Sequence, residues 1–414
     1  MLNRLVTLLL ALTALQAQGR SRVYTPEVKT LQVVVGQDWL SPPVMRLGTD
    51  DVLHVSFDEL SHTYRRYVYH LEHCEADWQP STEIFESDWL EGFNDNTIDD
   101  YDNSLNTTVL YTHYRLQIPN DRCRLKMSGN YRLTVYDEQE GSLDEPVLTA
   151  EFRVVEPLMN VGLSITTNTD VDFNLSHQQV SMTVVYNSLP VTNEREQLWT
   201  VVTQNGREDT QVAGAPPTYV QQGRLQWEHC RQLIFDAGNE YRKFEVLDVN
   251  HPTLGIDRMR WDGQHYHAFP FAGEPRRSYV YDEDANGAFY IRNSDNVEND
   301  RTCDYVYVNY KLLTGHEYTD AAITVNGQWT TDADSDSYLM TYDDSDRSYN
   351  ACILQKQGYY SYQYQLLTAD GRVKPVPEEG SFFETENRYQ AYIYYKGTGA
   401  RTWRLVGYQQ ITLK

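Results

Sequence analysis

Positive charge is in short supply in this 414-residue chain: 35 Lys and Arg stand against 59 Asp and Glu, a formal net charge of -24 at pH 7. Nucleic acid is excluded as a partner on that ground, because phosphate binding needs a basic surface. Long apolar runs are scarce too. Nothing approaches the roughly 20 apolar residues of a membrane-spanning helix, and a polar, loop-rich chain of mean hydropathy -0.61 makes an outer-membrane barrel, which needs many alternating strands with an apolar lipid face, a poor second choice. Cysteine is limited to five residues with no paired CxxC, which removes the usual zinc sites. Catalytic signatures are missing as well: there is no GxSxG elbow, HExxH, phosphate loop or dinucleotide fingerprint. The many carboxylates define no glycosidase pair by their spacing. The sequence is therefore read as that of a non-enzyme, with no catalytic residue, no cofactor and no metal.

What is abundant is aromatic surface, with 32 Tyr, 8 Trp and 12 Phe. Tyr360, Tyr362 and Tyr364 recur at every second residue, and 131–136 (YRLTVY), 305–308 (YVYV) and 392–395 (YIYY) share the texture. Successive side chains of a strand point to opposite faces, so this period marks sheets faced with amphipathic aromatics. The first residues suggest a compartment. Arg4, the apolar run 5–15 and the small residue Ala17 form a secretory signal peptide over 1–17. No cysteine near Ala17 could accept lipid, so an exported, soluble mature chain is expected.

The length exceeds one typical domain, and β-sandwiches run to about 100 residues. An all-β protein of three consecutive immunoglobulin-like β-sandwich domains is expected, at 24–156, 157–300 and 304–414, with little helix and no long central cavity. Strands are expected at 31–35, 52–57, 64–73, 114–118, 131–136 and 151–155 in the first domain. The second has 171–175, 180–186, 198–204, 224–227, 244–248 and 289–292, with 206–223 as loop. Pro157, which cannot donate to a ladder, marks the first boundary. In the third, Asn326-Gly327, Gly358 and Asp370-Gly371 are expected to turn the chain between strands.

Three constellations could carry chemistry. Asp332, Asp334 and Asp336 have the spacing of the first ligands of a calcium loop, but Ser337 stands where the turn glycine is needed and Asp343 where the bidentate glutamate is needed. Cys74 and Cys123, like Cys303 and Cys352, lie 49 residues apart by their numbering and could bridge facing sheets, leaving Cys230 over; the alternative is that these thiols are buried as small apolar residues. His265 and His267 share one face of a strand without a third ligand.

Several unusual strings occur together and in order. The first region has Leu90-Glu91-Gly92-Phe93, Tyr111-Thr112-His113-Tyr114 and Ser128-Gly129-Asn130-Tyr131. The second has Gly238-Asn239-Glu240-Tyr241-Arg242-Lys243-Phe244 and Gly287-Ala288-Phe289-Tyr290-Ile291-Arg292. The third has Lys356-Gln357-Gly358-Tyr359-Tyr360 and Glu379-Gly380-Ser381-Phe382-Phe383-Glu384-Thr385-Glu386-Asn387-Arg388-Tyr389. Over nearly the whole mature chain this resembles the plug protein family of the type IX secretion system. The resemblance implies a periplasmic protein, peripherally associated with the inner side of the outer membrane, that sterically closes a giant translocon β-barrel, its partner. It assigns no catalytic residue; Gly129, Gly287 and Gly358 are expected in turns, and Asn130 and Asn387 as side chains bonded to nearby backbone. The alternative is a carbohydrate-binding sandwich, with Trp329 or Trp403 stacking on sugar rings.

Overall fold

Alternation along 131–136 becomes the strand Gly129–Asp137, in which Tyr131, Leu133 and Val135 are fully buried while Arg132, Thr134 and Tyr136 stay partly open. The structure is a computed structural model that describes residues 20–139 and 141–413; the expected signal peptide lies outside the described residues. It is all-β as expected, 48% strand and 5% helix. No described helix is long and apolar enough to cross a membrane.

Sheets enclose three apolar cores. In the first sandwich, Leu148–Val155, Gly129–Asp137 and Tyr67–Cys74 form the centre of one sheet, facing Val28–Val35, Leu53–Glu59 and Thr112–Ile118 in the other. Phe57, Tyr69, Leu133 and Phe152 fill the space between. Every residue of Leu148–Val155 is buried, because its outer face is covered by the second sandwich. The other expected strands of this region form within a few residues of their predicted limits.

The expected boundary at 300–304 does not coincide with the sheets. Leu198–Gln204 pairs with Arg388–Tyr395 (Leu198↔Tyr395 through Gln204↔Tyr389), so the C-terminal hairpin completes the second core together with Val180, Val184 and Trp227. Conversely, Arg242–Val246 and Phe289–Ile291 pair with Gly358–Thr368 and belong to the third core, around Phe244, Tyr310 and Tyr360. The chain enters the third sandwich after Ile234–Asp236 and returns to the second at Arg388. Turn residues report local reversals and carry no signal for such distant pairing.

Four local expectations also change. The 206–223 stretch is no loop: it contains Arg207–Ala213 and Tyr219–Gln221. The 171–175 segment is no strand, and its Val171, Phe173 and Leu175 are exposed. At Gly358 the chain changes sheets instead of folding back, since Ser348–Lys356 pairs with Tyr305–Leu313 and Gly358–Thr368 with other strands. A β-carbon there would lie 2.3 Å from the Tyr290 carbonyl oxygen, so close backbone approach, not a turn, demands glycine. Asn326-Gly327 likewise makes no hairpin, because Ala321–Asn326 pairs with Gly358–Thr368. Asp370-Gly371 does turn the chain, into Val373–Pro375, with Gly371 at φ +79°.

Candidate functional site

Two of the three junctions between sandwiches are built from buried charge. Leu53–Glu59 and Thr112–Ile118 place Asp58 opposite His113, and Ser348–Lys356 ends on Lys356 opposite Tyr305. Across the first and third sandwiches, the Asp58 carboxylate accepts from Lys356 Nζ at 2.7 Å and from the Tyr305 hydroxyl at 2.7 Å, and His113 Nδ1 lies 2.6 Å away. Lys356 also donates to the Asp300 carbonyl at 2.7 Å and sits 4.0 Å over the Tyr111 ring. Burial alone would raise the Asp58 carboxyl, but Lys356 and His113 outweigh it and hold it below the usual carboxylate range.

Between the first and second sandwiches Arg153 lies 4.8 Å over Trp78 and 4.2 Å over Tyr392, and its Nε donates to the Tyr394 hydroxyl at 3.3 Å. That hydroxyl donates to Asn130 Oδ1 at 2.7 Å. Asn387 stands where the chain returns from the third sandwich to the second, donating to the Ala237 carbonyl, at the outgoing crossover, at 2.7 Å and to Gln178 Oε1 at 3.0 Å. Both asparagines bond backbone, but not the nearby backbone expected: Asn130 donates to the Glu75 carbonyl at 2.9 Å, 55 residues away, and Asn387 to that of Ala237, 150 residues away, and each also bonds a distant side chain. Severing one partner of such buried polar pairs is costly, so these contacts hold the sandwiches against one another.

Where they meet there is a cavity of about 1180 Å³, lined among others by Arg20, Arg153, Arg207, Glu208 and Asp209. It departs from the expectation of no long central cavity; sequence gives no measure of how well domains pack. Arg207 pairs with Asp209 at 2.5 Å. Arg153 stands 3.7 Å from Glu208, whose carboxyl burial pushes up to about 8.

Outside, apolar side chains concentrate in loops that converge. Phe383 N–H donates to the Leu175 carbonyl at 3.0 Å, and the Tyr281 hydroxyl lies 3.4 Å from Glu386. Phe173, Leu175, Val280 and Tyr281 are all exposed, in two loops that each touch the 383–386 segment, with Glu283 and Glu386 among their acidic neighbours. The first sandwich exposes Phe85 and Phe93. Exposed aromatics of this kind suit a partner surface.

The other sequence candidates are placed differently. Asp332 pairs with Lys29 at 2.8 Å, Asp334 caps a short 3₁₀ turn by accepting from Asp336 N–H at 3.0 Å, and among the described residues no His, Cys, Asp or Glu trio is arranged to hold a metal ion. All five cysteines are free thiols, and four are buried, so neither Cys74–Cys123 nor Cys303–Cys352 is bridged. His265 and His267 both pack on the Tyr307 ring. Trp329 is only 8% exposed, stacked on Tyr310 with its Nε1 donating to the Ser361 carbonyl at 3.2 Å. Trp403 packs against the core formed at the first and second sandwiches. Neither offers the open ring that sugar stacking requires. A β-carbon on Gly129 or Gly287 would meet the His73 or Tyr241 ring. Asp58, His113, Arg153 and Lys356 were invisible as a set, being scattered across the sequence.

A model of the type IX secretion system plug protein first domain matches residues 28–156. The crystal structure of a hypothetical protein from Parabacteroides merdae is 34% identical, with a TM-score of 0.91 over 96% of this chain and 100% of that one. An alkylpurine DNA glycosylase of Pseudomonas fluorescens (13% identity, 31% of this chain and 30% of that one, TM-score 0.16) and the alpha-2-macroglobulin of E. coli (10%, 94% and 22%, TM-score 0.17) are too dissimilar to bear on this fold. No curated protein matches the chain.

Proposed function

Starting from a chain that belongs to the type IX secretion system plug protein family, we propose that it is a non-enzymatic periplasmic plug, which sterically closes the periplasmic end of a giant outer-membrane translocon barrel. The observation that carries this reading is the locking of three sandwiches into one body by Asp58, Lys356, Arg153 and their partners. A wide lumen is blocked by a rigid mass, and a flexible string of domains would leak. The seal must also yield when cargo passes, which favours a moderate, partly polar interface over an obligate apolar one. The loops carrying Phe173 and Tyr281 beside acidic residues have that character.

In this reading the signal peptide 1–17 directs export, and the mature protein associates peripherally with the inner side of the outer membrane through its partner. A tagged chain recovered from detergent-solubilised outer membrane should bring a very large β-barrel protein with it. Recovery of the chain alone, from cells shown to assemble the translocon, would refute the reading.

A further inference from the structure

We propose that Asn160–Thr166, an outermost strand of the second sandwich, is a docking edge for an extended segment of a second polypeptide, uncharged and apolar at every second residue, which adds to the sheet as a further strand. The inference goes beyond pore closure and stands whichever protein supplies the segment.

Asn160–Thr166 pairs along its whole length with His177–Val185 (Asn160↔Val185 through Thr166↔Gln179) and ends its sheet on the other side. In an antiparallel pair every second residue turns its N–H and C=O away from the partner strand. Among the described residues, no backbone hydrogen bond joins 160–166 to any strand but His177–Val185. A row of unfilled donors and acceptors at strand spacing is matched by another extended backbone, which fixes the class of occupant.

Proteins ordinarily blunt such an edge with charge, proline or a bulge. Other outer strands of this chain are charged: Arg207–Ala213 starts Arg207-Glu208-Asp209, Ile256–Trp261 carries Asp257, Arg258 and Arg260, and Asp100–Asn103 has two aspartates. From Pro157 to Thr169 no residue is charged, although 23% of the chain is. The register with His177–Val185 runs without a bulge.

The side chains define what the segment must carry. Val161, Leu163 and Ile165 pack on the second core yet stay partly open, as does Ile411 of Arg404–Thr412 in the facing sheet. An added strand would cover them with its own alternate apolar residues. On the other face Asn160, Gly162, Ser164 and Thr166 are exposed and uncharged, and offer no counter-ion to a charged neighbour. A second copy of this chain is a poorer occupant. Two bodies with a formal net charge of -24 repel, and a seven-residue edge gives two folded surfaces little of the about 1,200–2,000 Å² of a stable interface. An extended segment needs only the ladder and the pockets beside it.

The test uses the full-length protein and a fluorescein-labelled heptapeptide of alternating Thr and Val, residues of high strand propensity. Its fluorescence anisotropy should rise saturably with protein concentration. The same peptide with methylated backbone nitrogens should bind at least about tenfold more weakly, having lost its ladder donors, and a version with Glu in place of Val should not bind. Hydrogen exchange read by mass spectrometry should slow at 160–166 when the Thr-Val peptide is added. Gly162→Lys should fold, since a β-carbon there meets only Thr183 Cβ, at 3.9 Å, and should weaken binding by supplying the charge this edge lacks. No saturable binding, equal binding of the methylated peptide, protection on another strand, or full affinity in Gly162→Lys overturns the proposal. Sedimentation equilibrium addresses the rival occupant: a mass that climbs toward twice the monomer with concentration, and does not in Gly162→Lys, would give the edge to a second copy and overturn it as well.

Discussion

Asp58 and Lys356, 298 residues apart in sequence, meet at 2.7 Å between the first and third sandwiches with no side-chain exposure on either. A pair this deep gains net stability only if its remaining valences are filled. Here they are, by His113 and Tyr305 on the carboxylate and by the Asp300 carbonyl and Tyr111 ring on the ammonium.

Lys356→Met should therefore destabilise the protein by about 3–5 kcal/mol, the cost of stranding a buried partner charge, read as a lower urea midpoint. Asp58→Asn combined with Lys356→Met should cost less than the two changes summed. Because the folded Asp58 carboxyl is held below its ordinary value, its contribution is present above that ordinary value and is lost as pH falls through the folded one. The gap between wild type and Lys356→Met should narrow in acid.

Asp284 should give the opposite pH dependence. It accepts from the N–H groups of Tyr241 and Asn286, yet burial pushes its carboxyl up to about 7. The folded state thus keeps a proton that the unfolded chain releases near pH 3.9, so this group's contribution falls as pH rises from about 4 to about 7. Urea melts at the two ends of that window should show a smaller loss, or a larger gain, for Asp284→Asn than for wild type.

The thiols make a third case. Cys74, Cys123, Cys230 and Cys303 are buried and Cys352 is exposed, and burial raises the Cys74 and Cys303 thiols to about 12. A maleimide should label Cys352 alone in the folded protein and all five in denaturant, and reductant should leave the melting temperature unchanged. A native count of zero with five after reduction would contradict this.

Strands whose side chains alternate toward one core were legible in sequence: 198–204 and 224–227 form at the predicted limits. Arg207–Ala213 was not, because its REDTQVA side chains are mostly half-buried beside the cavity and show no apolar alternation. The reverse error at 171–175 has the same root. Val171, Phe173 and Leu175 do alternate, but their apolar faces point outward. Sheet partners and the junction charges stayed hidden, since Leu198 finds Tyr395 and Asp58 finds Lys356 through the tertiary fold alone.

The central claim is that this body closes a pore, and outer-membrane permeability tests it most directly. In cells that retain an assembled translocon, deleting the chain should admit small hydrophilic dyes or antibiotics that the outer membrane normally excludes. Single substitutions of exposed carboxylates should leave the barrier intact, unlike an enzyme, in which one such change abolishes activity. Unchanged dye entry after deletion, with the translocon still in place, would contradict the account.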